Sequence, residues 1–295
     1  MRILVTGCGG QLGSDCMAVL SERHTVTGLD LPELDITDTA SVRSALEVSR
    51  PAVVVNCAAY TNVDGAESDA ETAWGVNCGG PRVLAECCRG SSVRLIHIST
   101  DYVFDGERKP PAGYAESDRP APGTVYGRGK LAGEEAVRKI LSDFVILRTA
   151  WLYGAAGRNF LKTVLRLTLR KPGEELRIVN DQCGSPTWSY RLALQVEAML
   201  GRGRGVYHAA GQGSCTWYKL AGEFLTAMRV EHCLVPCSTA DYPTPARRPA
   251  NSVLENRRLE SEGLNLMRPW IDDVQEFAAL YRDRLLCEAN AAAGR

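Results

Sequence analysis

Short apolar runs alternate with amphipathic segments through the first half of the chain. Runs of aliphatic residues predict buried strands, and apolar residues spaced by three and four predict helices. The predicted strands are 3–5, 25–29, 53–56, 95–98 and 145–148, and the predicted helices are 12–20, 38–49, 126–141 and a helical rhythm over 66–88 with a possible bend at 79–81. Because strands that alternate with helices form parallel sheets covered on both faces, the pattern predicts a doubly wound α/β fold.

The regular alternation weakens after Trp151. The remaining apolar periodicity predicts helices over 159–170 and 189–200 and a short strand over 177–179. The rest of this half is predicted to be rich in loops, and its proline cluster 242–249 to be extended, because proline fixes φ. We therefore expect a larger domain of residues 1–150 with roughly 184–210, and a smaller domain of residues 151–183 and 211–295.

Composition and charge exclude several classes of protein. The chain has 295 residues, of which 45% are hydrophobic, and 34 Lys and Arg stand against 35 Asp and Glu for a net charge of -1. Proteins that bind duplex nucleic acid neutralise phosphates with an excess of basic residues, so no nucleic-acid partner is expected. The apolar runs are shorter than the ~20 residues of a membrane span, and the amino terminus shows no leader pattern. We expect a cytoplasmic protein without a membrane partner.

A glycine-rich turn joins the first predicted strand to the first predicted helix. Gly7, Gly10 and Gly13 recur at intervals of three residues, and Asp30 ends the second strand about 20 residues later. Glycines let a pyrophosphate approach the N–H groups at the start of a helix, where the macrodipole favours negative charge. A carboxylate at Asp30 can accept both hydroxyls of an adenosine ribose. A tight turn and a solvated aspartate are the alternatives for each feature alone; together they predict a dinucleotide site.

A second group of polar residues lies later in the chain. Tyr126 and Lys130 are four residues apart on a predicted helix, so both side chains point to one face. The ammonium ion is expected to lower the pKa of the phenol from its usual ~10, which eases proton transfer near neutral pH. Ser99 and Thr100 follow the fourth strand, at the edge where doubly wound folds bind ligands. The pair alone is compatible with an exposed helix face, but the three features together predict an active site.

These motifs resemble those of the extended short-chain dehydrogenase/reductases and, within them, the dTDP-4-dehydrorhamnose reductases. The broader resemblance rests on the turn 7–13, Asp30, the segments 58–61 and 99–106, and the pair Tyr126 and Lys130. The narrower one rests on the segments 180–187, 205–208, 216–218 and 242–252. The resemblance covers nearly the whole chain. It implies a Rossmann fold, with the larger domain binding a dinucleotide and the smaller C-terminal domain binding substrate.

The resemblance also implies a role for each matching residue. It makes Tyr126 the proton donor, Lys130 its electrostatic partner and ribose ligand, and Thr100 the hydroxyl that orients the substrate carbonyl. The residues implied to line NADH or NADPH are Gly7, Gly10, Gln11, Leu12, Asp30, Asp35, Ile36, Ala58, Ala59 and Tyr60, together with Tyr126 and Lys130. Those implied to contact the dTDP-sugar are Thr100, Asp101, Trp151, Asn159 and Arg248, with Arg247 as an alternative to Arg248 and a core position as the alternative for Trp151.

Some members of this family dimerise through a magnesium ion held by acidic residues of both subunits. Asp15 lies near one such position, but the residues 188–191 after the Pro-Thr pair lack the family's glutamate and include Arg191. Because a hard cation requires several oxygen ligands, we expect no structural metal. Either a monomer or a homodimer is compatible with this sequence.

The resemblance implies reduction of the 4-keto group of dTDP-4-dehydro-L-rhamnose by NADH or NADPH, giving dTDP-L-rhamnose. Two alternatives remain open. One is another nucleotide-sugar 4-ketoreductase, epimerase or dehydratase, although Thr100 is followed by Asp101 and Tyr102 and not by the Asp-Glu pair of a dehydratase. The other is a regulatory subunit without activity, because the family also resembles the beta subunit of methionine adenosyltransferase.

Overall fold

The fold follows the alternation that the sequence predicts, although its second half is richer in helices. The computed structural model describes residues 1–291; residues 292–295, the end of the predicted smaller domain, lie outside the described residues. The first elements are β1 Arg2–Thr6, α1 Gln11–Ser21, β2 Thr25–Leu29, α2 Thr39–Ser49, β3 Val53–Asn56, α3 Val63–Ser68, α4 Ala70–Trp74, α5 Gly80–Ser91, β4 Arg94–Thr100, α6 Val125–Ile140, β5 Phe144–Thr149, β6 Leu152–Tyr153 and α7 Phe160–Arg170. The later elements are β7 Glu175–Val179, β8 Cys183–Gly184, β9 Thr187–Trp188, α8 Ser189–Met199, β10 Gly205–His208, β11 Cys215–Thr216, α9 Trp217–Ala227, β12 Cys233–Cys237, β13 Asn251–Ser252, α10 Arg257–Ser261 and α11 Trp270–Ala291.

Six parallel strands form the central sheet in the order β2-β1-β3-β4-β5-β10. The predicted doubly wound α/β fold is thereby confirmed. Strand β3 is buried along its whole length, and β4 pairs in parallel with β5 from Leu95 to Thr100. The strand order reverses at β1, which lies between β2 and β3. At such a reversal a crevice opens beside the carboxyl ends of the strands, and this is where doubly wound folds bind ligands.

Helices cover both faces of the sheet. On one face, α1 and α8 bury Cys16 and Val196 in a shared core with the strands. On the other, α2, α5 and α6 bury Leu46, Leu84 and Val137. Because both faces are covered, the central strands are apolar on both sides and not only on alternate residues.

The segment 66–88, predicted as one helical rhythm, forms several helices. Helix α3 ends at Ser68, and α4 is joined to α5 by a wider, π-helical turn over Gly75–Gly79. Pro81 lies in the first turn of α5, directly after the widened turn. The widened turn therefore takes the place of the bend expected near Pro81, and the helical path continues without a break.

Helix α6 packs closely against this widened turn. A Cβ on Gly133 would lie 2.3 Å from the carbonyl oxygen of Asn77, closer than such atoms approach. On Gly129, one turn earlier, a Cβ would have its nearest neighbour at 3.4 Å, in ordinary contact with the Asn77 side chain. The absence of a side chain at residue 133 therefore sets the distance between α6 and its neighbour.

The second half of the chain contains two long helices that the sequence analysis did not predict. The expectation of a loop-rich end is wrong for α9 and α11, which bury apolar residues at helical spacing. Phe224 and Phe277 meet between these helices, with ring centroids 6.3 Å apart. Residues 242–249 contain no helix or strand, as predicted. Within residues 1–291, no helix is both long enough and apolar enough to cross a membrane.

Two cores divide the chain between them. Strand β10 joins the central sheet beside β5, and α8 packs on α1, so both accompany the first 150 residues. Trp188 is buried in the other core, against Phe277 and Tyr281. We therefore propose that the second segment of the larger domain begins at Ser189 and not near residue 184. Residues 151–188 and most of 211–291 form the smaller domain, whereas Leu259 and Met267 are buried in the core of the larger one.

Alanine substitution at Gly133 tests the close packing of α6. We expect Gly133→Ala to lower the free energy of unfolding by about 1–3 kcal/mol, because the obstructing atom belongs to the backbone and cannot rotate away. Gly129→Ala is the matched control on the same helix and should leave stability unchanged or raise it by up to ~1 kcal/mol through helix propensity. Chemical denaturation followed by circular dichroism measures both variants. Equal stability of the two variants would contradict the packing argument.

Candidate active site

The glycine-rich turn between β1 and α1 is packed so closely that it excludes side chains. Gly7 has φ +66°, and a Cβ there would lie 2.7 Å from the backbone nitrogen of Ala58. A Cβ on Gly13 would lie 2.0 Å from the carbonyl oxygen of Gly7. Gly9 and Gly10 are exposed, and Gly10 begins α1 without a side-chain cap. The start of α1 is therefore accessible to an anionic group.

Asp30 is attached to this turn. Its Oδ2 accepts a hydrogen bond from the Gly9 N–H at 3.1 Å, and its Oδ1 accepts one from the Leu31 N–H at 2.9 Å. Each carboxylate oxygen keeps a second lone pair, so Asp30 can still accept the hydroxyls of a ribose. The open turn and the fixed carboxylate fit a dinucleotide, with α1 holding the pyrophosphate and Asp30 a ribose.

The other predicted cofactor residues differ in what their side chains offer. Leu12 and Ile36 are buried in the two cores that flank the sheet, so they offer backbone atoms and an apolar edge only. The Asp35 carboxylate accepts from the backbone N–H and the hydroxyl of Thr37, which stabilises the loop before α2. Residues 58–59 follow β3 and are half-buried beside the crevice.

A side chain that the sequence analysis did not assign to the site holds Tyr60 in place. The Asn77 amide accepts from the Tyr60 backbone N–H at 3.0 Å and donates to the Tyr60 carbonyl at 2.9 Å. Asn77 is 1% exposed and lies in the widened turn between α4 and α5. It therefore fixes the segment after β3 much as a neighbouring strand would. Its signal in the sequence is an asparagine at an inward position of the helical rhythm.

Thr100, Tyr126 and Lys130 come together at the carboxyl edge of the sheet. Thr124 caps α6, so Tyr126 lies in the first turn of that helix. The Lys130 Nζ donates to the carbonyl of Ile98 at 2.6 Å, two residues before Thr100 on β4. All three side chains predicted to be catalytic are at least nine-tenths buried. The three-part arrangement expected from the sequence is therefore present in the fold.

Burial is the largest influence on the pKa values of Tyr126 and Lys130. It raises the pKa of Tyr126 above the ordinary value for a phenol, while the adjacent Thr100 side chain opposes the rise and the Asp101 charge adds to it. The expectation that the pKa of Tyr126 lies below the usual ~10 is therefore wrong, because desolvation of the phenolate is the largest effect on this group. Burial also lowers the pKa of Lys130 to about 8, against the charge of Glu134. At neutral pH the phenol carries its proton and Lys130 is an ammonium ion.

Asp101 engages the hydroxyl of Thr100. Thr100 Oγ1 donates to Asp101 Oδ1 at 2.8 Å and accepts from the Tyr102 N–H at 3.2 Å. Asp101 is 6% exposed, and its Oδ2 has no hydrogen-bond partner among residues 1–291. Burial raises the pKa of this carboxyl to about 6. A substrate carbonyl would therefore compete with Asp101 for the hydrogen bond from Thr100, and protonation of Asp101 would weaken its side of that competition.

Trp151 and Trp217 form a flat stack at the start of the smaller domain. Their ring centroids are 3.4 Å apart and their planes differ by 5°, and Trp217 Nε1 donates to Gln182 Oε1 at 3.0 Å. Trp151 has φ +47°, a left-handed conformation that is rare outside glycine. A Cβ on Gly184 would lie 2.2 Å from the Trp151 indole. The strained backbone of Trp151 thus holds a half-buried indole in one orientation, a feature typical of ligand sites.

Asn159 and Gln11 connect the smaller domain to the glycine-rich turn. Asn159 caps α7 by accepting from the Lys162 N–H at 3.0 Å. Its amide nitrogen donates to Gln11 Oε1 at 3.0 Å and to the Gly154 carbonyl at 2.8 Å. Because these contacts occupy the amide, binding a diphosphate would require Asn159 to change partners. Its position next to Gln11 favours a role in joining the two domains.

Arg248 is tied to the larger domain by an ion pair. Its Nη2 contacts the Asp64 carboxylate of α3, and its Nη1 donates to the Tyr102 hydroxyl at 3.2 Å. The Tyr102 ring lies edge-on to Tyr126, with centroids 5.5 Å apart. Arg247 pairs instead with Glu107 on the surface, where both side chains are exposed. Of the two arginines, Arg248 is therefore the one close to the tyrosine on α6.

The residues near the family's magnesium position, Asp15 and 188–191, make other contacts. The Asp15 carboxylate accepts from the Ser189 hydroxyl, and Arg191 pairs with Asp273 and Glu276. In the part of the chain that the structure describes, no group of three or more His, Cys, Asp or Glu side chains is placed to hold a metal ion. The expectation that the chain has no structural metal stays a prediction.

Known proteins are similar in sequence to this chain along most of its length. The family model described as the RmlD substrate binding domain matches residues 1–282. A dTDP-4-dehydrorhamnose reductase of Streptomyces griseus is 44% identical over 278 residues, which cover 91% of this chain and 90% of the relative. A dTDP-4-keto-6-deoxy-D-glucose reductase of Streptomyces niveus is 42% identical over 273 residues, which cover 91% of this chain and 93% of the relative.

The fold is shared as well. The crystal structure of a dTDP-4-dehydrorhamnose reductase from Bacillus anthracis in complex with NADP superposes with a TM-score of 0.90 at 36% identity, covering 94% of this chain and 98% of that one. The chain therefore belongs to the family of the RmlD substrate binding domain, and the resemblance of its motifs to the dTDP-4-dehydrorhamnose reductases is confirmed.

Proposed function

We propose that this chain reduces the 4-keto group of dTDP-4-dehydro-L-rhamnose with NADH or NADPH and releases dTDP-L-rhamnose. The observation that carries the proposal is the meeting of Thr100, Tyr126 and Lys130 at the carboxyl edge of the sheet. They lie in the same domain as a glycine-rich turn that fits a dinucleotide. The name of the Streptomyces griseus relative supports the substrate.

The side chains of this site can carry out the proton transfer. Bound NADH or NADPH supplies a hydride to C4 of the sugar, and the carbonyl electron pair moves to oxygen. Tyr126 then gives its proton to that oxygen, and its raised pKa keeps the phenol protonated until so strong a base forms. The Lys130 ammonium, one helical turn away, stabilises the phenolate that remains. Thr100 donates a hydrogen bond to the same oxygen when its present hydrogen bond to Asp101 is broken.

A second candidate is reduction of a related dTDP-linked 4-keto sugar, which the name of the Streptomyces niveus relative supports. Oxidation of NADH and NADPH with a panel of dTDP-, UDP- and GDP-linked 4-keto sugars tests both candidates. We expect dTDP-4-dehydro-L-rhamnose to be the preferred substrate. Turnover of another dTDP-sugar alone would favour the second candidate. No oxidation with any sugar would contradict the reductase, and tight co-purification with an adenosyltransferase would then favour the regulatory subunit.

We further propose that the chain acts in the cytoplasm, as a monomer or a homodimer, and without a nucleic-acid partner. The net charge of -1 supports the last of these, because phosphate neutralisation requires an excess of basic residues. Sedimentation of the purified protein distinguishes the monomer from the homodimer.

Removal of the Tyr126 hydroxyl tests the proton donor. Tyr126→Phe should lower kcat by ~100-fold or more, the usual contribution of a positioned general acid, with little change in cofactor affinity. Tyr207→Phe is the control, because the hydroxyl of this tyrosine on β10 donates to Glu262 and accepts from Arg258 and from the Arg204 N–H, all of them outside the site. Steady-state kinetics and cofactor titration measure both variants. Near-normal kcat in Tyr126→Phe would remove this residue from the mechanism.

The charge of Asp30 should control the choice between cofactors. A carboxylate there accepts the ribose hydroxyls of NADH and repels the 2′-phosphate of NADPH, so we expect NADH to be used at least as well as NADPH. Asp30→Ser should raise the ratio of kcat/KM for NADPH to that for NADH by about tenfold, equivalent to about 1.4 kcal/mol. Asp38→Ser is the control, since serine can still cap α2 there. A strong preference of the unmodified protein for NADPH would overturn this expectation.

The contacts of Arg248 and Arg247 predict different effects on nucleotide binding. Arg248→Ala should weaken dTDP binding by about 1.5–3 kcal/mol, the usual loss for a charged hydrogen bond, and leave NADH affinity unchanged. Arg247→Ala removes the same charge from an exposed pair and should have little effect. Isothermal titration with dTDP measures both. If dTDP binds equally well to both variants and to the unmodified protein, neither arginine contacts the diphosphate.

A further inference from the structure

Three charged side chains are buried between helix α6 and strands β4 and β5. Lys130 and Glu134 are one turn apart on α6, and Arg148 is on β5; they are 2%, 0% and 2% exposed. Buried charges are costly unless they are paired and hydrogen-bonded. A set of three therefore requires an explanation beyond packing.

Glu134 is the centre of this set. Its Oε1 accepts from the Ser99 hydroxyl at 2.6 Å and from Arg148 Nε at 2.9 Å, and its Oε2 accepts from Arg148 Nη2 at 2.7 Å. Ser99 lies on β4 between Ile98, whose carbonyl accepts from Lys130, and the proposed catalytic Thr100. Glu134 thus joins α6 to two strands at the level of the reacting groups.

The charges of the set explain why an anion is needed at residue 134. Two cations and one anion are buried together, and a guanidinium does not lose its proton in a protein. Without the Glu134 carboxylate, two buried cations would remain near each other. Lys130, whose ammonium can release a proton, would then become neutral.

The other titratable groups near the set do not supply this negative charge. His97 on β4 faces Lys130, and His208 on β10 faces Arg148; burial lowers the pKa of both, that of His208 to about 3, so both are neutral at pH 7. A negative charge on Cys57, which follows β3, would also favour the ammonium form of Lys130, but less than the charge of Glu134 does. Tyr126, on the same helix, keeps its proton.

We propose that Glu134 is a positioning residue for the reduction: through Ser99 and Arg148 it fixes α6 on the sheet, and its charge keeps Lys130 an ammonium ion. The link to catalysis rests on the proposed function. The link between Glu134 and the charge of Lys130 does not, since it is a property of the folded chain and can be measured without substrate.

A direct titration of Lys130 tests the proposal. The chain has six lysines, so protein labelled with ¹³Cε-lysine gives few NMR signals, and Lys130→Met identifies the signal of the buried one. The titration is compared in the unmodified protein, Glu134→Gln, Arg148→Met and the variant with both changes. Glu135→Gln is the matched control, because the same substitution is made one residue along on the exposed side of α6.

The proposal predicts an order for the pKa of Lys130. Glu134→Gln should lower it by about one unit or more, the usual effect of losing an adjacent opposite charge, and Arg148→Met should raise it. The double variant should titrate near the unmodified protein, and Glu135→Gln should not differ from it. Breaking a buried pair is destabilising, so circular dichroism establishes folding first, and Arg148→Met carries the test if Glu134→Gln does not fold. The same midpoint in all folded variants would overturn the proposal.

The pH dependence of kcat provides the second readout. Activity that needs the ammonium form of Lys130 should fall on the alkaline side, and Glu134→Gln should move this fall to lower pH by the shift seen in the NMR titration. If the NMR order holds and the alkaline limb of kcat does not move, the charge of Lys130 does not limit turnover, and the catalytic part of the proposal is wrong. If no sugar is reduced by the unmodified protein, the proposed function fails while the NMR result stands.

Discussion

Burial of the polar face of α6 is the constraint on which the active site depends. Tyr126, Lys130 and Glu134 repeat every four residues on that face, and each is at least nine-tenths buried. Such groups are tolerated only where partners are provided, and β4 provides two, the carbonyl of Ile98 and the hydroxyl of Ser99. The contacts that make burial possible therefore also set the position of the tyrosine relative to the end of β4.

The sequence predicts the part of the fold that repeats a simple pattern. Strands such as β3 contain an uninterrupted apolar run, here Val53 to Val55, and helices such as α2 begin at a recognisable cap, here Asp38. The second half has no such alternation, and the two helices α9 and α11 were missed there. Their apolar spacing was present, as Leu220, Phe224, Val274 and Phe277 show. This spacing was not recognised because short strands and prolines separate the helices, so that no regular alternation of strand and helix marks where each one begins.

The parts of the candidate site that depend on the spacing of residues along the chain could be predicted. The parts that depend on how the folded chain packs could not. The turn at Gly7 and the spacing of Tyr126 and Lys130 are visible in the sequence, and the fold brings the expected groups together. The direction of the Tyr126 pKa was predicted wrongly because spacing reveals a neighbour but not how much water is excluded. The contacts of Asn77 and Trp217 were not predicted either, because each side chain contacts residues that are far away in the sequence.

The segment 242–249 contacts α3 of the larger domain through Asp64, and this contact bears on the proposed role of Arg248 in binding the diphosphate. Asp64 accepts from the backbone N–H of Ala246 at 3.1 Å and also pairs with the Arg248 guanidinium. The side chains of that pair are 22% and 34% exposed, and partly solvated pairs contribute little free energy. An anionic ligand could therefore replace Asp64 as the partner of the guanidinium at a small cost in free energy. The hydrogen bond from the Ala246 N–H to Asp64 would still hold the segment against α3. Asp64 thus positions Arg248 beside Tyr102 through a pair that is weak enough for the guanidinium to bind another anion.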